Sequence, residues 1–181
     1  MARVPMPDRD SLSPEGREVF DRLTASRGHI DGMYRTLLNH PILAGYVSDL
    51  GTYFRFRSRV LPDALRELVI LWSARHCHAA YEWVKHEPVA RQAGVPDAAI
   101  EAIRQGLRPK GLSPVWDAAL DAAEAALALE SLPRTTQGCL LEAYGIEGLI
   151  ELVVLSGFYR LIASVLSAFD VPLPEGAGRS F

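Results

Sequence analysis

Cysteine is scarce in this chain of 181 residues, which contains only Cys77 and Cys139. Two thiols are too few to staple a domain of this length, and they fit a reducing compartment, so we expect a cytoplasmic protein. Excess positive charge is also missing, because 19 Lys and Arg stand against 22 Asp and Glu. A net charge of −3 excludes nucleic-acid binding by bulk electrostatics, and we expect no nucleic-acid partner.

A long, purely apolar run is missing as well. The most apolar stretch, residues 149–169, contains Glu151 and, near its middle, Arg160, which would be costly in hydrocarbon. Residues 1–11 include Asp8 and Asp10 and have no apolar signal-peptide core. We therefore expect no membrane segment.

The chain shows no sustained alternation of apolar and polar residues, which would indicate strands, and helix signals recur throughout. Ser13-Pro14 and Ser113-Pro114 are each typical of a capped helix start with proline at the first position. Asp97 is expected to cap a short helix, and Gly145 and Gly148 to interrupt the last helical region. The sequence predicts an all-α fold of about seven or eight helices. The expected organisation is an N-terminal extension (1–12), one helical domain (13–171) and a tail (172–181).

One internal similarity stands out. Residues 65–71 match residues 149–155 at five of seven positions, 84 residues apart, and each segment has a glutamate at its third position. The match is either chance among leucine-rich helices or the trace of a duplicated helical unit.

The densest polar cluster in an apolar setting comprises Glu67, His76, Cys77, His78, Tyr81, Glu82 and His86. Glu82 and His86 are four residues apart, so they share one face of a helix. Glu67 lies 19 residues before His86 and can reach it only if the chain bends near residues 76–80. A carboxylate beside an imidazole raises its pKa and orients its ring, as in a general acid or base. The alternative is a surface Glu82–His86 pair.

Metal and thiol chemistry are less favoured. His78, Glu82 and His86 could offer three ligands along one helix face, but eight residues span about 12 Å of helix axis, so we expect no metal. There is no Cys-x-x-Cys, and Cys77, between two histidines, is either a single activated thiol or a buried inert one. Arg55 and Arg57 indicate an anion-binding loop or, more simply, a solvated segment.

A family resemblance rests on the residues Leu61-Pro62, Arg66-Glu67-Leu68, Tyr81-Glu82-Trp83, His86, Ala90 and Gly94-Val95, with a similar closing segment that includes Tyr159. In these residues the chain resembles the carboxymuconolactone decarboxylase superfamily, which includes the alkylhydroperoxidase D-like proteins. The resemblance covers most of residues 30–175. It implies an all-α fold that assembles as trimers or hexamers, with sites in or near the subunit contacts.

The hydroperoxidase branch uses a glutamate, a Cys-x-x-Cys and a histidine. By spacing, Glu67 matches that glutamate and His86 that histidine, while the two cysteine positions fall on Ala79 and Glu82. The resemblance therefore argues against dithiol peroxidase activity in this chain.

What the resemblance implies instead is a cofactor-independent acid–base enzyme. It would decarboxylate, or transfer a proton on, a small unsaturated carboxylate or lactone with Glu67, Glu82 and His86. The possible accessory residues are Tyr81, His78, Cys77 and Arg66, and Arg66, Arg55 or Arg57 would hold the substrate anion. Two alternatives stay open, namely an antioxidant that uses Cys77 alone and a non-catalytic helical oligomer.

Overall fold

The protein, described by a computed structural model at residues 2–30, 32–178 and 180–181, is all-α, as predicted. Eight α-helices lie in these ranges: α1 (Pro14–Arg27), α2 (Gly32–Leu37), α3 (Pro41–Thr52), α4 (Asp63–His76), α5 (Ala80–Ala93), α6 (Asp97–Arg104), α7 (Pro114–Ala128) and α8 (Arg134–Ala168). A short 3₁₀ turn, Arg9–Ser11, precedes α1, and a π-helical turn, Tyr53–Arg57, follows α3.

The chain divides into two compact units. The first comprises residues 1–58 and 164–177, and the second comprises residues 59–163 and 178–181. In the first unit α1 and α2 pack against α3, and in the second α4 packs against α5, α6 and α7. The expected boundaries of extension, helical domain and tail stay a prediction.

The proline-led helix starts are confirmed. The Ser13 hydroxyl accepts a hydrogen bond from the Gly16 N–H at 3.2 Å, and the Ser113 hydroxyl accepts one from the Trp116 N–H at 3.4 Å. Each bond satisfies a backbone donor that the first helical turn leaves without a partner.

Helix α4 is the centre of the second unit. Ten successive residues, 65–74, are buried, so the helix is covered on every side rather than along one stripe. This burial explains why residues 65–74 are mostly apolar. Arg66 and Glu67 are also buried, because they belong to the same helix.

A tight turn joins α4 to α5. Helix α4 ends at His76, the chain reverses over residues 77–79, and α5 begins at Ala80. His78 adopts a left-handed backbone conformation, with φ of 52°, which is uncommon for a residue other than glycine. The predicted bend near residues 76–80 is confirmed, and it lays α5 back against α4.

The expected cap of α6 is wrong by one residue. The helix begins at Asp97, and Pro96 occupies the cap position with an extended backbone (ψ of 133°). The Asp97 carboxylate accepts a hydrogen bond from Arg91 instead of capping the helix.

Helix α8 contains the break predicted for the last helical region. Gly145 has φ of 66° and ψ of −173°, which kinks the helix into two parts, whereas Gly148 stays helical. The two similar segments, 65–71 and 149–155, are both helical, and Glu67 and Glu151 are both buried. Their descent from a duplicated unit stays a prediction.

By length and composition α8 could cross a membrane, but more than half of its most apolar window is buried within the fold. The core helix of a soluble protein passes the same test. On the opposite side, Ile146, Ile150, Val154 and Leu161 are exposed at a spacing that places them along one stripe. Such a stripe is a candidate contact for a second copy, and the expected homo-oligomer stays a prediction.

Gly148 and Gly157, both in the second part of α8, give a matched test of packing at the kink. A Cβ on Gly148 would lie 2.4 Å from Cβ of Tyr144, whereas one on Gly157 would meet nothing within 4 Å. We expect Gly148→Ala to lower the free energy of unfolding by about 1–3 kcal/mol, because neither atom can move aside. Gly157→Ala should raise it by up to about 1 kcal/mol, since alanine favours a helix. Urea unfolding measures both, and a gain in stability for Gly148→Ala would contradict the described packing.

Candidate active site

The turn after α4 brings together a carboxylate and an imidazole that are 19 residues apart. Oε2 of Glu67, on α4, lies 2.8 Å from Nδ1 of His86, on α5. Both side chains are buried, with relative exposures of 3% and 6% for the two residues. This short contact means that Nδ1 carries a proton and donates it to Glu67.

Glu82 approaches the other side of the same ring. One turn before His86 on α5, its Oε2 lies 3.5 Å from Nε2 of His86, and Glu82 is also buried. The alternative of a surface Glu82–His86 pair is therefore wrong. The imidazole lies between two carboxylates in the interior of the second unit.

Tyr159 of α8 is the third group at the ring. Its hydroxyl oxygen lies 3.0 Å from Nε2 of His86, and the two rings meet edge to face with centroids 5.1 Å apart. No catalytic role followed for Tyr159 from the sequence, because it is 73 residues from His86. One signal was present, since a buried tyrosine hydroxyl in an apolar helix needs a hydrogen-bond partner.

These neighbours set the charge of His86. Burial lowers its pKa, but the attraction and hydrogen bond of Glu67, and then those of Glu82, outweigh burial and raise the pKa from 6.5 to about 9. At neutral pH the ring is therefore an imidazolium, and both of its nitrogens donate.

Among the accessory residues, Arg66 has hydrogen-bond donors that no other described group uses. Its guanidinium is buried, and Nη2 donates to Asp63 at 2.7 Å. Nε and Nη1 are buried and have no acceptor among the described residues. A buried donor without an acceptor is unfavourable, so this side chain could bind an anion.

The remaining accessory residues lie apart from the carboxylate–imidazole contacts. Tyr81 is buried on α5. His78 lies in the turn before α5, so the expectation that it shares a helical face with Glu82 and His86 is wrong, and the three-ligand arrangement considered for a metal does not form. Arg55 and Arg57 are exposed residues of the first unit.

Cys77 has the surroundings of an inert thiol. It is half-buried at the end of α4 and packs against Ala74, Ala79 and Ala163. Burial raises its pKa, although Arg160 acts in the opposite direction. A raised pKa leaves less of the reactive thiolate at neutral pH.

The sequence profile of the carboxymuconolactone decarboxylase family matches residues 44–125, a range that includes Glu67, Glu82 and His86. A solved structure described as an alkylhydroperoxidase AhpD core, an uncharacterized peroxidase-related protein from Ralstonia eutropha JMP134, superimposes with a TM-score of 0.80 at 17% identity. The alignment covers 96% of this chain and 93% of that one. The range matched by the family profile is just under half of the chain, and the superposition shows that the fold is similar to that of the alkylhydroperoxidase AhpD core.

Two further solved members of this fold are similar. An uncharacterized peroxidase-related protein from Silicibacter sp. TM1040 has a TM-score of 0.75 at 16% identity, with 96% and 92% of the chains covered. The debrominase Bmp8, solved as a cysteine-to-alanine variant with 2,3,4-tribromopyrrole, has a TM-score of 0.73 at 18% identity, with 96% and 91% covered. No protein of curated function matches the sequence significantly.

The charge of His86 gives the stability of the protein a defined pH dependence. Because the folded pKa, about 9, is above the unfolded value of 6.5, the folded state binds this proton more tightly. The resulting stability is fully present below pH 6.5 and is lost as the pH rises to about 9, for a total of about 3 kcal/mol. Urea unfolding over this range should show the decline in the wild type and a smaller one in His86→Gln. An equal decline in both proteins would mean that another group titrates.

Proposed function

We propose that this protein is a cofactor-independent acid–base enzyme that decarboxylates, or transfers a proton on, a small unsaturated carboxylate or lactone. The observation that carries the proposal is the burial of His86 between Glu67 and Glu82 with its pKa raised to about 9. Two buried carboxylates are not needed to stabilise a fold, whereas they keep an imidazolium charged and fixed in orientation.

The two ring nitrogens of His86 have different roles in this proposal. Nδ1 is held by Glu67, which orients the ring and does not release its proton during the reaction. Nε2 makes a longer contact of 3.5 Å with Glu82 and lies 3.0 Å from the Tyr159 hydroxyl oxygen. The transferred proton therefore leaves from Nε2, either directly or by way of the Tyr159 hydroxyl, which accepts it and releases its own proton to the substrate.

The decarboxylation is balanced without a cofactor. The bond between the substrate's carboxylate and its neighbouring carbon breaks, carbon dioxide leaves, and the electron pair stays on the carbon, delocalised into the adjoining unsaturated system. Nε2 then gives its proton to that carbon, and solvent returns a proton to His86. A donor with a pKa of about 9 stays protonated at neutral pH and is still acidic enough to quench an enolate-like carbanion.

An anionic substrate needs a cation, because the site already contains two carboxylates and one imidazolium. Arg66 can supply this cation, since it is adjacent to Glu67 in sequence and its Nε and Nη1 have no acceptor among the described residues. A guanidinium can hold a carboxylate through two parallel hydrogen bonds. We assign Arg66 the role of substrate binding.

The alternative, an antioxidant that uses Cys77 alone, has less support. The raised pKa of Cys77 and its packing against alanines both disfavour the thiolate that would attack a peroxide. The other alternative, a non-catalytic oligomer, required Glu67 to be satisfied far from His86, whereas the two side chains are in contact.

The proposal is tested by a substrate screen with matched variants. Unsaturated carboxylates, lactones and, because of the debrominase neighbour, halogenated pyrroles are incubated in deuterated water, and NMR follows deuterium entering carbon positions or loss of the substrate. We expect His86→Gln to lower the rate on any active compound by about 10²–10⁴-fold, the usual contribution of a general acid. Tyr159→Phe should lower it by less if Nε2 also reacts directly.

Cys77→Ser is the control, and it should leave this rate unchanged. Peroxide with a dithiol reductant belongs in the same screen. Wild-type turnover by His86→Gln would refute the acid–base assignment, and peroxide consumption that disappears in Cys77→Ser would establish the thiol alternative in its place.

A further inference from the structure

A pocket lies at the C-terminal end of α4, and it is lined by none of Glu67, Glu82, His86 and Tyr159. It has a volume of about 240 Å³ and is lined by Trp72, Arg75, His76, His78 and Gly106. The first three share one face of the last turns of α4, His78 comes from the turn before α5, and Gly106 follows α6. All the lining side chains that carry polar atoms offer N–H groups, and none is a carboxylate.

Arg75 supplies the fixed positive charge of this pocket. Its Nε donates to the backbone carbonyl of Arg104 at 3.0 Å, which anchors the guanidinium. No carboxylate pairs with it among the described residues, and its two terminal nitrogens have no described acceptor. Gly106 makes room for the group, because a Cβ there would lie 2.8 Å from Nη2 of Arg75.

Trp72 adds a second donor that has no partner. Trp72 is 5% exposed, and its indole N–H is buried without an acceptor among the described residues. His76 is held beside it, since Nδ1 of His76 contacts the Trp72 carbonyl oxygen at 3.1 Å and the two rings are 4.4 Å apart. Because a carbonyl oxygen only accepts, Nδ1 of His76 carries a proton, and His78 adds a further ring N–H to the lining of the pocket.

The groups around the pocket do not neutralise the positive charge of Arg75. Arg108 lies over the Trp72 ring at 5.5 Å, but its own charge is balanced by Asp117, Asp121 and Glu124. Phe181 covers one face of the Arg75 guanidinium at 4.8 Å, which leaves the N–H edge of the group unobstructed by that ring. The carbonyl end of α4 attracts cations, which explains basic residues there but not the buried indole N–H.

We infer that the pocket formed by Trp72, Arg75, His76 and His78 is a binding site for a phosphoryl group. A tetrahedral oxyanion has several acceptor oxygens, which matches a pocket that offers N–H groups around one anchored guanidinium and contains no carboxylate. The volume of about 240 Å³ is far larger than the roughly 30 Å³ share of one water molecule, so a small phosphate ester fits as well as the free ion. This site is independent of the proposed reaction at His86.

The test is NMR titration of the full-length protein with inorganic phosphate and with phenyl phosphate. The reporter is the Trp72 indole N–H resonance, assigned through Trp72→Phe. We expect a saturable shift of this resonance with both compounds. Equal affinities would identify the free ion as the ligand, and tighter binding of phenyl phosphate would identify an ester.

Arg75→Gln should weaken binding by about tenfold or more, the usual effect of losing a charge-assisted hydrogen bond pair. Arg75→Lys should retain part of the affinity. Arg134→Gln, an exposed arginine at the start of α8, is the matched control for charge and should bind like the wild type. His86→Gln should also bind normally, which separates this site from the acid–base site. The inference is overturned if the indole resonance shows no saturable shift, or if Arg75→Gln keeps wild-type affinity while its amide spectrum shows a native fold.

Discussion

Burying a carboxylate is unfavourable unless its charge is paired, and Glu67 meets this constraint through the imidazole of His86, 2.8 Å away. The two residues lie on different helices, so the pair exists only while the turn over residues 77–79 holds α5 against α4. Breaking a buried pair by removing one partner typically destabilises a protein by about 3–5 kcal/mol. The arrangement of α4 and α5 thus permits the contact, and the contact sets the charge of the site.

The same contact gives the ring an asymmetry that chemistry can use. Glu67 fixes one nitrogen, whereas Glu82 and Tyr159 share the other at longer distances of 3.5 and 3.0 Å. Glu82 places a second carboxylate at this nitrogen, where it favours a proton on the ring.

Local signals in the sequence predict where helices begin, and they predict that Glu82 and His86 are close in the site. Serine–proline pairs predict where α1 and α7 begin, because capping depends on neighbouring residues, and a four-residue spacing predicts that Glu82 and His86 are close. The approach of Tyr159 depends on how α8 packs, which no local pattern encodes. His78 does not share the face of Glu82 and His86, because its positive φ belongs to a turn that tertiary packing determines.

The central claim is that His86 is an imidazolium held between two carboxylates. The most direct measurement is ¹⁵N NMR of its two ring nitrogens at about pH 8, above the ordinary pKa of histidine and below the raised value. We expect both nitrogens to carry protons in the wild type, and the ring to become neutral in Glu67→Gln at the same pH. A ring with one unprotonated nitrogen in the wild type would contradict the account.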